Sequence, residues 1–375
     1  MVDVAPLISV VITCYNYAKY VAGAIDCVLA QSYPSKEVIV VNDGSTDESL
    51  SIITRYAARV RIIDQVNLGS SAAYNHGFAA ATGEIVIFLD ADDLLCPGAL
   101  ERVARAWSPA CAKVQYDAIV IDADGKDLGR KLCNFDASYD AARVRGSFRR
   151  TGTYRWPVTV GNAYSYWFAK QLFPLAKGHY PDGTLNTAAP VYGDVITIPA
   201  ALGCYRIHGQ NLWSSGGSDL ARLPWRIEHR RAEIAIMRRH AERHGVRLPA
   251  GTALDHEIAF INYRLMARTL GLQYPGAAED STLRLLKRAC ATLAAERYPL
   301  KLSLAHCLWF AGLSVSPPPA ARALIRLRFT RQNIGAPFRS ALRKLLGRSE
   351  RERSAAPAAA HWSGRLGRPS RSGVE

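Results

Sequence analysis

No two of the eight cysteines (Cys14, Cys27, Cys96, Cys111, Cys133, Cys204, Cys290 and Cys307) form a CxxC pair. A zinc site or a disulfide framework needs tighter spacing. The cysteines therefore read as small apolar core residues, and a reducing cytoplasm is the expected compartment. No run of about 18 apolar residues occurs, which excludes a spanning helix. The stretch Met1-Val2-Asp3-Val4-Ala5-Pro6 lacks the positive region of a signal peptide, and no small-residue cleavage site follows. Internal repeats are also missing.

What is present is a 375-residue chain of 49% hydrophobic composition, enough for one large domain and an appendage. Its formal charge of +15 is unevenly spread. Residues 1–218 carry 19 Lys and Arg against 20 Asp and Glu, whereas residues 219–375 carry 28 against 12. An anionic partner should meet the second part first.

Leu7–Thr13 is a continuous apolar, β-branched run, the pattern of a strand buried on both faces. Helical periodicity from Tyr17 to Gln31 follows, then strand Glu37–Val41, helix Asp47–Ala58, strand Val60–Asp64, helix Ser70–Ala81 and strand Glu84–Leu89. This βαβ alternation predicts a mostly parallel sheet with helices on both faces and ligands beyond the carboxyl ends of the strands. A helix over Gly98–Trp107 and a strand over Val114–Asp122 continue the domain. Cys133–Gly161 reads as irregular, Tyr164–Phe173 as a helix, and Val195–Ile198 and Ala201–Ile207 as two strands. Beyond the Ser214–Gly217 linker the pattern is wholly helical, with segments over 219–245, 252–271, 281–296, 300–313 and 320–346. The expected division is an α/β domain over 1–215, a helical accessory region over 219–346 and a disordered tail over 347–375.

Three strand ends carry polar residues where burial predicts none: Thr13-Cys14-Tyr15-Asn16, Asn42-Asp43-Gly44-Ser45-Thr46-Asp47 and Asp90-Ala91-Asp92-Asp93. A capping box between Ser45 and Glu48 accounts for part of the second but not for Asp43. The three carboxylates of the third repel one another, and a hard divalent cation such as Mn²⁺ or Mg²⁺ relieves that repulsion. Asp122-Ala123-Asp124 repeats the spacing, yet Gly125-Lys126-Asp127 after it makes a plain hairpin turn. Context separates the two.

Ser9–Asn16, Glu37–Asp47, Phe88–Asp93 and the intervening Asn67-Leu68-Gly69 through Asn75-His76-Gly77 together resemble family 2 glycosyltransferases of the GT-A fold, over residues 6–212. Cys14 stands where the family more often has Pro or a small residue. The resemblance implies a nucleoside-diphosphate sugar donor, with Thr13 and Tyr15 flanking the base and Asp43 hydrogen-bonded to it. Asn67 and Asn75 would lie along the nucleotide, Asp90 would contact ribose or metal, and Asp92 would ligate the metal. It also implies a base opening a helix ahead of a Tyr-Arg-x-His segment. Asp182 in Pro181-Asp182-Gly183, 23 residues before Tyr205-Arg206-Ile207-His208, fits that place, although a Pro-Asp-Gly turn or a helix cap is the alternative. Asp194 sits less suitably. His208 would complete the metal shell or meet the diphosphate, with a surface histidine as the alternative, and Arg206 would hold a phosphate.

Leu300–Val315 is apolar, and Ala320–Leu346 mixes leucines with arginines, which suits a helix on an anionic membrane or a packed bundle with a basic exterior. A lipid-linked or glycan acceptor at the inner face of the cell membrane, in polysaccharide or glycolipid assembly, is the matching expectation. A sugar-1-phosphate nucleotidyltransferase would need a glycine-rich loop after the first strand, where Cys14-Tyr15-Asn16-Tyr17 stands. An inactive nucleotide- or glycan-binding relative is opposed by Asp90, Asp92 and Asp182. The basic second part carries no nucleic-acid module.

Overall fold

The computed structural model describes residues 5–208, 211, 220–251, 253–296 and 300–333, with side chains to residue 328. The expected linker, the end of the last amphipathic segment and the tail lie outside the described residues.

Strand β1 (Ile8–Cys14) leads into α1 (Val21–Leu29), β2 (Lys36–Asp43), α2 (Ser49–Thr54), β3 (Arg61–Gln65), α3 (Ser70–Ala80) and β4 (Ile85–Asp90). Short β5 (Leu94–Leu95), α4 (Ala99–Ala106), β6 (Cys111–Ile121) and β7 (Asp127–Lys131) follow, then α5 (Ala141–Thr151), β8 (Asn162–Ser165), α6 (Tyr166–Ala169), α7 (Pro181–Tyr192) and β9 (Asp194–Arg206). The helical part comprises α8 (Leu223–Arg243), α9 (Ile258–Thr269), α10 (Thr282–Ala295), α11 (Leu300–Val315) and α12 (Pro318–Asn333). Among the described residues the sheet runs β3-β2-β1-β4-β8-β6-β9-β5, with β7 paired to β6. β1 is parallel to both β2 and β4, and Thr13 pairs with Val41 on one side and Asp90 on the other. That register brings the polar ends of three strands to one edge.

Alternation along β1 explains its continuous apolar run. Ile8, Val10, Ile12 and Cys14 pack into one layer with Ile85, Ile87 and Leu89, while Val11 faces the other with Ile39, Val41 and Phe88. Each such fully buried side chain contributes about 1.5–3 kcal/mol, so register is strongly specified. The helical part has a core cluster of its own, but α8 belongs to two. Leu223 and Ile227 of α8 pack with Ile261, Leu265, Phe310 and Ile325, whereas Ile234, Met237 and Ala241, about two to four turns beyond Ile227, pack with Leu185 and Ala188 of α7.

Three elements differ from the sequence reading. The segment expected to be irregular contains α5, which Asp140 caps by accepting the Arg143 N–H at 2.8 Å and which Gly152 ends at φ 72°. The helix expected over Tyr164–Phe173 is β8 followed by one turn, because β8 bridges β4 and β6 in the sheet. The two strands expected after Val195 are one, β9, whose register against β6 shifts opposite Tyr116–Ala118, next to exposed Pro199.

Candidate active site

The loops leaving β1 and β2 are laced together by side chains. Asn16, at φ 57°, accepts the Thr46 N–H at 2.7 Å and gives its own N–H to Ser45 Oγ at 3.0 Å. Asp47 takes the Ala18 N–H and Ser49 takes that of Tyr17, each at 3.0 Å. The expected Ser45–Glu48 capping box is therefore not made; Ser45 serves Asn16, and α2 begins at Ser49 with no side-chain cap from Glu48. Gly44 has φ 68°, and a Cβ there would fall 2.4 Å from the Asn67 nitrogen, so only glycine lets the 66–69 loop approach.

Asp43, buried at the end of β2, holds that loop. Its carboxylate accepts Gln65 Nε2 at 2.7 Å, Leu68 N at 2.9 Å and Gly69 N at 3.0 Å. A carboxylate has about four acceptor positions, so one remains for a ligand. Tyr15 and Asn67 are exposed beside it. Asn75 has a different part from the one expected. Its Nδ2 donates to Leu175 O at 2.9 Å and its Oδ1 accepts Leu175 N at 2.7 Å, so both ends of the amide pin a distant segment to α3.

Asp90 ends β4, hydrogen-bonded by the hydroxyl of Tyr74. Burial first, and then the charge of Asp92, push its pKa up to about 6. Burial, then Asp92 and Asp90, raise Asp93 well above the carboxylate range. Asp92 Oδ2 faces His208 Nε2 at 2.8 Å and Asn211 Nδ2 at 3.3 Å. His208 stacks on Tyr20 with ring centroids 5.2 Å apart, and its N–H is held by Asn211 Oδ1 at 2.6 Å. The histidine is thus buried against Asp92 and is not a surface residue. Arg206 departs from expectation: Nε donates to Asp92 O at 2.7 Å, Nη1 to Asp122 O and Ala123 O at 3.2 and 3.3 Å, and the guanidinium lies 4.9 Å over Tyr20. Backbone carbonyls take Nε and Nη1, so it braces the site from behind, and only the two N–H groups of Nη2 remain for a phosphate. The Asp122–Asp124 repeat is the expected hairpin, with Asp122 Oδ1 accepting Asp124 N at 3.0 Å and Lys126 N at 2.9 Å.

A divalent cation fits this donor set. Three carboxylates crowd a buried strand end, and a carboxylate and an imidazole converge on one point. Among the described residues no three Asp, Glu, His or Cys side chains form a closed metal cage. An open two-residue set suits Mg²⁺ or Mn²⁺, which keep waters and substrate phosphates as their other ligands.

Asp182 is the second residue of α7, after Pro181 at the first position, and its Oδ1 accepts Gly183 N at 2.8 Å. It opens a helix, so it is not in a free turn, and its bond to the Gly183 N–H serves the helix start as the cap alternative has it. Burial first, then Glu233 and Asp90, lift its pKa to about 7. Asp194, the other candidate, starts β9 in an exposed ion pair with Arg145. Sequence reading missed Glu233, His229 and Arg230 of α8, Tyr74 and Asn211. A glutamate inside a basic helix carries no local signal.

A mixed α/β sheet with carboxylates at the ends of adjoining parallel strands is the architecture of GT-A glycosyltransferases. The model for the family described as Glycosyl transferase family 2 matches residues 9–168. A glycosyltransferase of Nostoc sp. is 36% identical over 226 residues, spanning 56% of this chain and 68% of that protein. The chain belongs to glycosyltransferase family 2. YibD of Escherichia coli (38% identity) and EpsJ of Bacillus subtilis (39%) match 34% and 27% of this chain, and the chain spans only 34% and 30% of their lengths. Two solved structures align with it. One is a mannosyltransferase from Pyrobaculum calidifontis in complex with GDP-Man and Mn²⁺, at 20% identity over 88% of both chains and TM-score 0.45. The other is S. aureus TarS in complex with UDP-GlcNAc, at 15% identity over 87% of this chain and 92% of that one, TM-score 0.46.

Proposed function

We propose that this glycosyltransferase moves a sugar from a nucleoside-diphosphate sugar to an acceptor hydroxyl with inversion, and that Asp182 is its base. The observation carrying the reading is Asp182 itself, at the start of α7, electrostatically coupled to Asp90 and held near pH 7, where a general base works best. Asp182 takes the proton of the acceptor hydroxyl as that oxygen bonds to the anomeric carbon, and the bond from that carbon to the diphosphate breaks on the opposite face. Asp43, Thr13 and Tyr15 would receive the base, and Asn67 and Asp90 the sugar-phosphate side. Asp92 and His208 would hold Mn²⁺ or Mg²⁺. When bound, that cation supplies Lewis-acid neutralisation of the departing diphosphate. Thermal shift across a panel of nucleotide sugars, with and without Mn²⁺, tests donor binding. A metal-dependent rise with one donor is expected, and no rise with any of them overturns the reading.

A second observation favours work at an anionic membrane, where a lipid-linked acceptor is met. Among the described residues no helix is long and apolar enough to cross a membrane. Yet Leu300, Leu304, Leu308 and Val315 of α11 are 75%, 54%, 75% and 84% exposed, at spacings that align them on one helix face. Exposed Lys301, Arg322 and Arg326 accompany them. Apolar insertion with basic residues worth about 1 kcal/mol each gives reversible attachment to acidic lipid.

A further inference from the structure

Helix α8 lies beyond the segment that the family model matches, yet it packs its one buried acidic side chain on the turn that carries the base. A Cβ on Gly183 would fall 1.6 Å from Glu233 Oε1 and 2.5 Å from its Cδ. The carboxylate therefore rests on the backbone next to Asp182, and position 183 tolerates no side chain while it does so. The same Oε1 lies 3.1 Å from His229 Nε2, and the other oxygen, Oε2, is held by Arg230 Nη1 at 2.9 Å. Arg230 is fully buried. It grips Glu257 at the start of α9 through Nε at 2.9 Å and Nη2 at 2.6 Å, and it also donates to Thr187, one turn along α7 from Gly183. Glu257 in turn accepts the Thr153 hydroxyl at 2.7 Å. Six side chains from three helices and a loop thus converge beneath the first turn of α7.

We propose that Glu233 is the positioning residue for Asp182: wedged on Gly183, it fixes the first turn of α7 and keeps a permanent negative charge beside the base. The inference rests on Asp182 being that base. Burial alone would raise the Glu233 pKa, but close contact with His229 and the hydrogen-bonded Arg230 guanidinium outweighs it and holds the group below the usual glutamate value, so it is ionised at neutral pH. Other groups also face Asp182. They are Asp90 of β4, Lys113 of β6, Tyr74 of α3, Tyr164 of β8, Tyr180 just before α7 and His229 of α8. Burial drives the Lys113 amine well below its ordinary pKa and raises the three tyrosines, so these four are poor sources of charge. Asp90 belongs to the donor side and is engaged there. Glu233 is the acidic neighbour from the acceptor-side helices, and like charge makes Asp182 the more avid proton acceptor.

The test is the pH profile of kcat/KM for donor hydrolysis, using the nucleotide sugar that the thermal-shift panel identifies. In Glu233→Gln the acid limb should move to lower pH, with a several-fold drop in plateau rate and unchanged nucleotide binding. Glu233→Asp, which keeps the charge, should restore the midpoint toward native. Glu257→Gln disturbs the same network from the far side of Arg230 and should leave the midpoint in place. Gly183→Ala should lose activity, and pairing it with Glu233→Ser, which vacates the space, should recover part of it. An acid limb that stays put in Glu233→Gln while Asp182→Asn abolishes it sinks the role of Glu233 alone. A limb that survives Asp182→Asn sinks the base assignment itself.

Discussion

Asp92 and Asp124 both close an Asp-Ala-Asp triplet, and the surroundings of each decide what its charge does. Asp92 is buried against His208 and Asn211, whereas Asp124 is exposed in the β6–β7 hairpin. Asp92→Asn removes one negative charge at nearly constant volume. It should abolish Mn²⁺-dependent thermal stabilisation by donor and Mn²⁺-dependent turnover, with the melting transition otherwise kept. Asp124→Asn should be near native, and the reverse pattern would mean that the wrong triplet was assigned. Asp182→Asn should bind donor normally but transfer about 10² to 10⁴ more slowly. Because the base acts as a carboxylate with pKa about 7, kcat/KM should climb about tenfold per pH unit below that value and level off above it. A profile flat from pH 5 to 8 contradicts this. The polar strand ends were legible because a buried apolar strand has no reason to finish on Asp43 or Asp90. The engagement of Asn75 and Arg206 was not, since a side chain's partners 84 or 100 residues away leave no mark on local pattern.

Elements with strong periodicity were readable and those shaped by tertiary context were not. β1, β2 and β4 announce themselves as β-branched runs. Helix α5, with the sequence Ala-Ala-Arg-Val-Arg-Gly-Ser-Phe-Arg-Arg-Thr, has a weak apolar stripe and an internal glycine, and it forms because Val144 and Phe148 reach the core. The link between α3 and the segment before α7 is likewise tertiary, made by Asn75 and by Ser71, which accepts Gly178 N at 2.9 Å and donates to His179 O at 3.0 Å. Asn75→Ala strands the amide and carbonyl of Leu175, itself 5% exposed and out of reach of water. That substitution should cost about 1–3 kcal/mol in a denaturant melt. It should also loosen the approach to α7, seen as earlier proteolysis between α6 and α7. A loss below 0.5 kcal/mol would show that Leu175 finds other partners.

At the scale of the whole molecule, α8 joins what composition divides. A chain ending at residue 215 lacks Ile234 and Met237, each worth about 1.5–3 kcal/mol of burial, and the methyl of Ala241 at about 0.8 kcal/mol. Their sum reaches into the 5–15 kcal/mol that holds an ordinary domain together. The truncated chain should show no cooperative melt, and a sharp native-like transition would establish an independent catalytic domain. On the outer side, full-length protein should float with anionic but not neutral vesicles and detach in high salt. Leu304→Ser with Leu308→Ser should weaken flotation without touching donor hydrolysis, and equal flotation of the two proteins returns that face to the packed-bundle alternative. The placement of α8 also has a consequence in time. Roughly fifty residues separate the end of α7 from the end of α8, which at ribosomal speeds of about 5–20 residues per second is about 3–10 s of synthesis. During that interval the groove on α7 that receives Glu233 and Met237 stands open. A ribosome that stalls within α8 would release a polypeptide that cannot close its core, with a bare apolar groove for chaperones to find.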